Sequence, residues 1–368
     1  MMTMVVPDGV CCSCIYRPID QQRTNERRRL SFYVAARSLR PLSLSGILLT
    51  MAAALLVAAQ PHLTAADYES AATLYAALNA SLRRLERSAS ARQSGHTLVV
   101  FPELVGTWLA VSGHHAAASS STSAMVGMLL EQPLAFAFEL LRSLVRDWWH
   151  RSLLGHMQRA AFALAAPRVW RSWRLVFATL ALQHGCWIVA GSAYLPRLEF
   201  AQCTHEQRQR RVDHPHDRAT LAVPDAESQP RVTRDGLYNV SVLFGPDGRA
   251  HSASYKVHLI PDEREFADAA PLEWLRPTRC APFGLVGTII CADSWHDTPY
   301  TQLQRCADAE QEPMAVLAVP TYLTPVQVRR SLDRALDRSL ARCSELGGTL
   351  AGIQLRSHYA TAERRRPS

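Results

Sequence analysis

The 368-residue chain lacks an uninterrupted apolar run of about 20 residues, the length that a helix needs to cross a bilayer. Its most apolar segment, residues 46–59, is too short, and it starts too late to be an ordinary secretory signal. We interpret it as a buried strand with its lead-in, and we predict no membrane partner and a cytoplasmic location. Residues 27–66 contain Arg and Ser but no acidic residue, so a mitochondrial targeting sequence is the alternative.

The sequence also lacks the features of a disulfide framework or a metal cluster. The nine cysteines are odd in number and no secretory signal precedes them, which favours a reducing compartment. Cys11, Cys12 and Cys14 lie close together, but no second cluster of ligands accompanies them. We therefore predict no metal and no cofactor.

No basic stripe interleaved with aromatic residues is present, although the formal net charge is +8. The basic residues are clustered in tails and loops, such as residues 27–29, 208–211 and 364–366, which is typical of solvated segments. We therefore predict no nucleic-acid partner. With 48% hydrophobic and 20% charged residues, the composition is that of a globular protein with ample material for a core.

Strand and helix patterns alternate along the chain, which indicates an α/β protein. Residues 1–44 show no clear periodicity and are predicted to be an extension, disordered or serving in targeting. Residues 45–368 form the predicted domain. Within it, residues 129–165 are expected to be helical, with Trp148 and Trp149 in packing roles. A helix over 170–184, a strand over 314–319 and a helix over 326–343 are also predicted.

Three predicted strands each end next to a chemically reactive side chain. The strand over 97–101 is followed by Glu103, the strand over 251–255 by Lys256, and the strand over 285–290 by Cys291. In α/β folds, active residues gather at the carboxyl ends of the strands.

These three side chains complement one another chemically. A thiol becomes a good nucleophile only when it loses its proton, and a nearby ammonium lowers its pKa. A carboxylate can take that proton and later activate water. The ammonium and the backbone N–H of Ala292 can stabilise a tetrahedral oxyanion. Such a set suits the hydrolysis of an amide through a thioester, and of a nitrile through a thioimidate.

With these motifs, the sequence resembles the nitrilase superfamily of carbon–nitrogen hydrolases. The resemblance rests on VVFPE at 99–103, YKVHLIP at 255–261 and GTIICAD at 287–293, which occur in the family's order. It covers roughly residues 47–325. It implies an α–β–β–α sandwich that pairs with a second copy as a homodimer and needs no cofactor.

The resemblance also implies roles for individual residues. Glu103 would be the general base, Lys256 the oxyanion stabiliser and Cys291 the nucleophile. A further glutamate is expected after the lysine motif, and we choose Glu263 over Glu265. Ala292, Trp295 and His296 are the predicted substrate-binding residues, since they follow the nucleophile within a few positions; Trp295 is equally suited to packing.

The nature of the substrate is predicted from the residue two positions after the nucleophile. Asp293 resembles the amidase branches, whereas true nitrilases usually carry Trp-Glu directly after the cysteine. The predicted substrate is therefore a small linear amide, with a nitrile as the alternative.

The sequence departs from the family pattern in length. Insertions fall near residues 107–165 and 200–235. The segment after Cys291 is short, which predicts a truncated or divergent C-terminal part of the sandwich. A non-enzymatic scaffold with the same fold is therefore one alternative. Another is a papain-type Cys–His hydrolase with His184, His258 or His296 as its base.

Overall fold

A computed structural model describes eight stretches of the chain. These are residues 4–5, 11–12, 31–37, 54–86, 96–112, 131–200, 230–322 and 353–354. The helix predicted over 326–343 lies outside the described residues.

The described residues form fifteen strands and five α-helices, with short 3-10 turns between them. The strands are β1 Met4–Val5, β2 Cys11–Cys12, β3 Ser31–Arg37, β4 Ala54–Gln60, β5 His96–Val100, β6 Trp187–Val189, β7 Ala193–Leu195, β8 Leu198–Glu199, β9 Arg231–Val232, β10 Tyr238–Phe244, β11 Ala250–Tyr255, β12 Thr278–Cys280, β13 Gly284–Thr288, β14 Met314–Val319 and β15 Ile353–Gln354. The helices are α1 Ala71–Glu86, α2 Pro133–Asp147, α3 Leu153–His184, α4 Pro261–Arg264 and α5 Asp297–Ala309.

Two sheets carry most of the strands. The first has the order β11-β10-β6-β5-β4-β3, with β7 also paired to β10. Its centre is parallel, because β5 runs parallel to both β4 and β6. The second sheet has the order β12-β13-β14-β15, with β13, β14 and β15 parallel.

The two sheets pack face to face, and the alternation of their side chains explains why. Leu98 and Val100 of β5 contact a cluster that also contains Val286 of β13 and Val316 of β14. The neighbouring Val99 points to the opposite face of the first sheet. Side chains of a strand alternate between its faces, so each apolar strand contributes to two layers of core.

Helices cover the outer face of each sheet. The first sheet packs against α1 and α3, with Leu74, Leu78 and Trp173 buried in the same cluster. The outer face of the second sheet packs against Tyr300 and Leu303 of α5. The layers are therefore helix, sheet, sheet and helix, and the predicted α–β–β–α sandwich is confirmed.

Helix α3 differs from its predicted bounds, because it runs without a break through Pro167. Proline removes a helical N–H and normally interrupts a helix. Here the flanking Ala166 and Trp170 are buried against the first sheet, and this packing outweighs the lost hydrogen bond. The helix ends where the sequence predicts, at Gly185 in the left-handed conformation.

Three segments bear on the predicted domain bounds. Strand β3, inside the predicted extension, pairs antiparallel with β4 and so joins the first sheet. Helix α2 lies within the predicted insertion at 107–165, and β9 lies within the insertion near 200–235, where it pairs with β8 just before that insertion. The bounds themselves stay predictions.

Among the described helices, none has the length and apolar character that crossing a membrane requires.

A substitution at Gly191 tests how closely the first sheet is packed beside the end of β5. Gly191 and Gly185 both have positive φ, 66° and 57°. A Cβ at Gly191 would lie 2.0 Å from the Pro102 carbonyl oxygen, whereas one at Gly185 would meet nothing within 4 Å. We expect Gly185→Ala to cost about 1 kcal/mol of unfolding free energy and Gly191→Ala about 3 kcal/mol.

Urea unfolding of both variants and the unsubstituted protein measures this difference. Gly185→Ala is the matched control, since it has the same backbone strain without the clash. Equal losses of unfolding free energy in the two variants would mean that the Pro102 backbone shifts away from the added Cβ at no cost.

Candidate active site

Three reactive side chains lie at the carboxyl ends of their strands, as predicted. Glu103 follows β5, Lys256 follows β11 directly, and Cys291 follows β13. Backbone hydrogen bonds hold two of these positions to neighbouring strands. The Lys256 N–H donates to the Asn239 carbonyl, and the Cys291 N–H donates to the Pro320 carbonyl, both at 2.9 Å. The site therefore spans both sheets.

The Lys256 ammonium lies between two carboxylates. Its Nζ is 2.8 Å from Glu103 Oε1 and 2.7 Å from Glu263 Oε2. All three side chains are almost fully buried. Glu265, the other glutamate that the sequence offered, is exposed and accepts a hydrogen bond from Ser152 Oγ at 2.8 Å. The structure therefore brings Glu263, and not Glu265, next to the lysine.

Lys256 is also the only lysine in a chain with 40 Lys and Arg residues. Arg serves at every other basic position, whether exposed or paired. A guanidinium is planar and larger, whereas an ammonium is a compact charge with three donors. The one lysine thus occupies a buried site between two carboxylates, where a compact cation fits. This count is a signal in the sequence that marks Lys256 independently of any motif.

Asn239 and Tyr194 complete the hydrogen bonding of the two carboxylates, and sequence reasoning assigned a role to neither. Asn239 Nδ2 donates to Glu103 Oε1 at 3.0 Å and to Glu263 Oε1 at 2.9 Å. The Tyr194 hydroxyl donates to Glu263 Oε1 at 2.9 Å. Asn239 lies outside the three motifs that carry the family resemblance. Nothing in the sequence singled out Tyr194.

The loop that carries Glu103 is fixed from two sides. Leu104, the next residue, has a φ of 63°, and its N–H donates to Ser192 Oγ at 2.9 Å. The Tyr322 N–H donates to Glu103 Oε2 at 3.0 Å. The second carboxylate oxygen is thus held from the β14 side, across the two sheets.

Cys291 has a φ of 46°, which is unusual for a residue with a side chain. Such strain persists only where surrounding contacts determine the backbone, and it concentrates at functional sites. The thiol is buried, with its Sγ 4.0 Å from the Tyr322 carbonyl oxygen. The turn is held by the bond to Pro320 already described.

Burial raises the pKa of the Cys291 thiol well above its usual value, and the negative charge of Glu103 adds to this effect. The Lys256 ammonium opposes it only in part. Burial also acts to lower the pKa of Lys256, but the carboxylates Glu103 and Glu263 outweigh it and raise that pKa. At neutral pH the resting site therefore holds a neutral thiol beside a charged ammonium.

Asp293 connects the loop of Lys256 with the turn of Cys291. Its Oδ1 accepts from the N–H groups of Val257 and His258, at 3.1 and 2.7 Å. Its Oδ2 accepts from the Ile290 N–H at 3.1 Å. Burial raises the pKa of Asp293 to about 7, although these backbone donors favour the ionised form.

The predicted substrate-binding residues lie in different environments. Ala292 is buried beside Cys291, Trp295 is partly exposed and His296 is exposed. The His296 ring stacks on His258 at a centroid distance of 3.9 Å. Their roles in binding stay predictions.

The histidines proposed for a Cys–His pair contact other partners. His184 Nε2 is 2.8 Å from Asn79 Oδ1, and His258 Nε2 is 2.8 Å from Thr298 Oγ1. Glu103, in contrast, lies close to the thiol, because its Oε2 accepts from the Tyr322 N–H while the Cys291 Sγ is 4.0 Å from the carbonyl oxygen of the same residue. The geometry therefore favours a carboxylate as the base. Within the described residues, no group of three or more His, Cys, Asp and Glu is arranged to hold a metal ion.

Comparisons with known proteins find similarity in structure alone. No protein-family model matches the chain, and no curated protein sequence does. A carbon–nitrogen hydrolase from Helicobacter pylori G27 is similar at 12% identity over 81% of this chain and 71% of that one, with a TM-score of 0.44. Nit3 of Saccharomyces cerevisiae, a member of branch 10 of the nitrilase superfamily, is similar at 12% identity over 80% of this chain and 74% of that one, with a TM-score of 0.41. An amidase from Nesterenkonia sp. is similar at 15% identity over 82% of this chain and 75% of that one, with a TM-score of 0.39.

At such identities and TM-scores, neither a reaction nor the role of any residue is transferred from these proteins to this chain.

The influence of Glu103 on the thiol can be tested by alkylation. Glu103→Gln removes the negative charge that helps to raise the pKa of Cys291, while Lys256 stays. We expect the pH midpoint for iodoacetamide labelling of Cys291 to move to lower pH. Mass spectrometry of the Cys291 peptide separates this thiol from the other cysteines. Glu265→Gln is the control and should leave the midpoint unchanged; an upward shift in Glu103→Gln contradicts the assignment.

The raised pKa of Asp293 predicts a pH dependence of stability. Between the ordinary value of 3.8 and about 7, the folded state binds more protons at this group than the unfolded state does. The titration of Asp293 therefore makes the unfolding free energy fall as the pH rises through that window. We expect Asp293→Asn, which cannot titrate, to flatten the fall in unfolding free energy between about pH 4 and about pH 7.

Denaturant unfolding at several pH values measures that slope. Asp297→Asn, four residues away on the surface, should retain the slope of the unsubstituted protein. An unchanged slope in Asp293→Asn would show that the buried carboxyl is ionised throughout the window.

Proposed function

We propose that this protein hydrolyses the carbon–nitrogen bond of a small linear amide through a thioester on Cys291. The observation that carries the proposal is the single lysine of the chain, buried between Glu103 and Glu263 beside that thiol. This arrangement supplies a nucleophile, a base and a cation within one buried site. A purely structural ion pair would be an expensive choice there, because burying charges carries a large desolvation cost.

In the first step Glu103 acts as the base. The raised pKa of Cys291 means that the thiol is neutral before substrate binds. Glu103 takes the thiol proton as sulfur attacks the amide carbon. The carbonyl oxygen becomes an oxyanion. Lys256 uses two of its three N–H groups on the carboxylates, so the third is a candidate donor to that oxygen, together with the Ala292 N–H.

In the second step the carbon–nitrogen bond breaks. Glu103 returns its proton to the nitrogen, which leaves as ammonia or an amine, and a thioester remains on Cys291. Glu103 then takes a proton from water as the water oxygen attacks the thioester. Collapse of this second intermediate releases a carboxylic acid, and the sulfur regains its proton. Each turnover thus consumes one water for each amide.

Glu263 supports this cycle through Lys256. Glu103 is neutral whenever it holds a proton, and the second carboxylate then still balances the buried ammonium. The hydrogen bonds from Asn239 and Tyr194 hold Glu263 in place. A nitrile is the alternative substrate of the same residues, and the amide is favoured by the resemblance of Asp293 to the amidase branches. A homodimer and a cytoplasmic location remain predictions.

Ammonia release from a panel of small amides and nitriles tests the proposal. The unsubstituted protein should release ammonia from at least one amide, and Cys291→Ala should lower kcat/KM by at least about 1,000-fold, since it lacks the nucleophile. Cys306→Ala, which removes another free and partly buried thiol, is the matched control and should retain activity.

The other outcomes are equally informative. Full activity in Cys291→Ala would refute the mechanism, and release from nitriles alone would replace the substrate class. A folded protein that acts on no member of the panel would favour the non-enzymatic scaffold.

A further inference from the structure

The start of helix α3 lies against the segment that follows Glu263. Arg151, just before the helix, and Arg159, within it, both belong to the insertion that the sequence predicts at 107–165. Arg159 is buried, and the Arg151 side chain is only 9% exposed. Burying a guanidinium is costly unless it is paired and hydrogen-bonded. The partners of these two arginines therefore show what the start of α3 holds in place.

One carboxylate, that of Asp268, binds both guanidinium groups. Arg159 contacts it at two points, with Nη1 3.1 Å from Oδ1 and Nη2 2.6 Å from Oδ2. Arg151 Nη2 lies 2.6 Å from Oδ1. A two-point contact between a guanidinium and a carboxylate fixes their relative orientation as well as their distance. Asp268 is therefore held from the side of the predicted insertion.

The same two arginines donate to three backbone carbonyl oxygens in residues 264–268. Arg151 makes two of these hydrogen bonds and Arg159 makes one. The carbonyls, in that order, are those of Arg264, Ala267 and Phe266, at 3.2, 3.1 and 2.9 Å. The Glu263 carbonyl in turn accepts two N–H groups of this segment, those of Phe266 at 3.1 Å and Ala267 at 2.8 Å. The turn of Glu263 is thus closed by its own hydrogen bonds and fixed from outside by the two arginines.

Asp268 also connects this turn with the strand that carries Asn239. Its Oδ2 accepts from the Leu237 N–H at 3.0 Å, and its own N–H donates to the Leu237 carbonyl at 2.7 Å. Leu237 lies two residues before Asn239, whose side-chain amide donates to both Glu103 and Glu263. The positions of both Asn239 and Glu263 therefore depend on where Asp268 lies.

A second contact from α3 reaches Glu263 through an aromatic cluster. Phe162, also within the predicted insertion, packs on Tyr194 at a centroid distance of 5.1 Å and on Phe266 at 5.4 Å. Tyr194 and Phe266 pack edge to face at 4.8 Å. The Tyr194 hydroxyl donates to Glu263. The start of α3 thus supports both the backbone of Glu263 and a hydrogen-bond donor to its side chain.

We propose that Arg151 and Arg159 are positioning residues for Glu263, which they keep in contact with Lys256 by holding Asp268 and the turn between them. The predicted insertion is then part of the structure that supports the active site. As regards turnover, the inference rests on the proposed function, in which Lys256 stabilises the oxyanion. As regards the position of Glu263, it does not depend on that function.

The pH dependence of Cys291 labelling tests the position of Glu263 without any turnover. Burial raises the pKa of the thiol, and the negative charges of Glu103 and Glu263 add to this effect. Arg159→Lys keeps the positive charge but cannot make the two-point contact with Asp268. We therefore expect Glu263 to move away from the thiol and the midpoint for iodoacetamide labelling to move to lower pH.

The Glu263→Gln background separates positioning from a general loosening of the fold. Its glutamine keeps an oxygen that accepts from Tyr194 and Asn239 but has no charge, so Arg159→Lys should cause no further shift of the midpoint there. Ser143→Ala is the matched control, because it removes the hydrogen bond between α2 and His156 inside the same insertion. It should leave the midpoint unchanged.

The same pattern is expected of Arg151→Lys, at the less buried of the two arginines, which serves if Arg159→Lys does not fold. Circular dichroism identifies the folded variants. No shift in the folded arginine variant overturns the proposal. So does an equal shift in the unsubstituted and Glu263→Gln backgrounds, since the arginine would then act independently of Glu263.

Amide turnover provides a second measurement. Lys256 meets the oxyanion only after sulfur has attacked, so a misplaced Glu263 should lower kcat of Arg159→Lys about 10-fold and leave KM nearly unchanged. A change confined to KM contradicts the proposal. A protein that hydrolyses no amide would refute the proposed reaction, and the labelling experiment alone would then decide whether the arginines position Glu263. The two failures are therefore distinguishable.

Discussion

The buried ion cluster of one ammonium and two carboxylates is the constraint on which the rest of the site depends. Removing three charges from water is expensive, and only close partners in good geometry compensate for it. Lys256 is held by Glu103 and Glu263, and Asn239 spans both carboxylates. Loss of the lysine would leave two uncompensated carboxylates in the core, whereas loss of one carboxylate would leave the other paired with the ammonium. The surrounding backbone is therefore fixed to within hydrogen-bonding distance, as a catalytic site requires.

The two sheets give this cluster its position. Glu103 and Lys256 follow strands of the first sheet, and Cys291 follows a strand of the second. The apolar faces of the two sheets pack against each other, so the strand ends that carry these three residues meet at one edge of the sandwich. Asp293 then ties the lysine loop to the cysteine turn with three hydrogen bonds. Apolar packing thus places the reactive groups, and buried polar contacts orient them.

Much of this arrangement was predictable, for identifiable reasons. Strand periodicity located β14 at its observed bounds, and the motifs located Glu103, Lys256 and Cys291 at strand ends. Helix α3 was not predicted correctly, because the effect of Pro167 is local whereas the packing that overrides it comes from residues far apart in the chain. Likewise, the choice of Glu263 over Glu265 depended on which carboxylate faces inward. Trp148 and Trp149, for which the sequence predicted packing roles, are exposed just after the end of α2.

By itself, the sequence determined the α/β class, the order of the reactive residues and the chemistry that they offer. These properties follow from side-chain type and local periodicity. The tertiary structure decided which groups meet: Tyr194 and Asn239 with Glu263, the Tyr322 N–H with Glu103, and Asp293 with two separate loops. It also decided the electrostatics, since burial raises the pKa of the Cys291 thiol. Burial and proximity arise only when distant segments pack together, so local sequence cannot specify them.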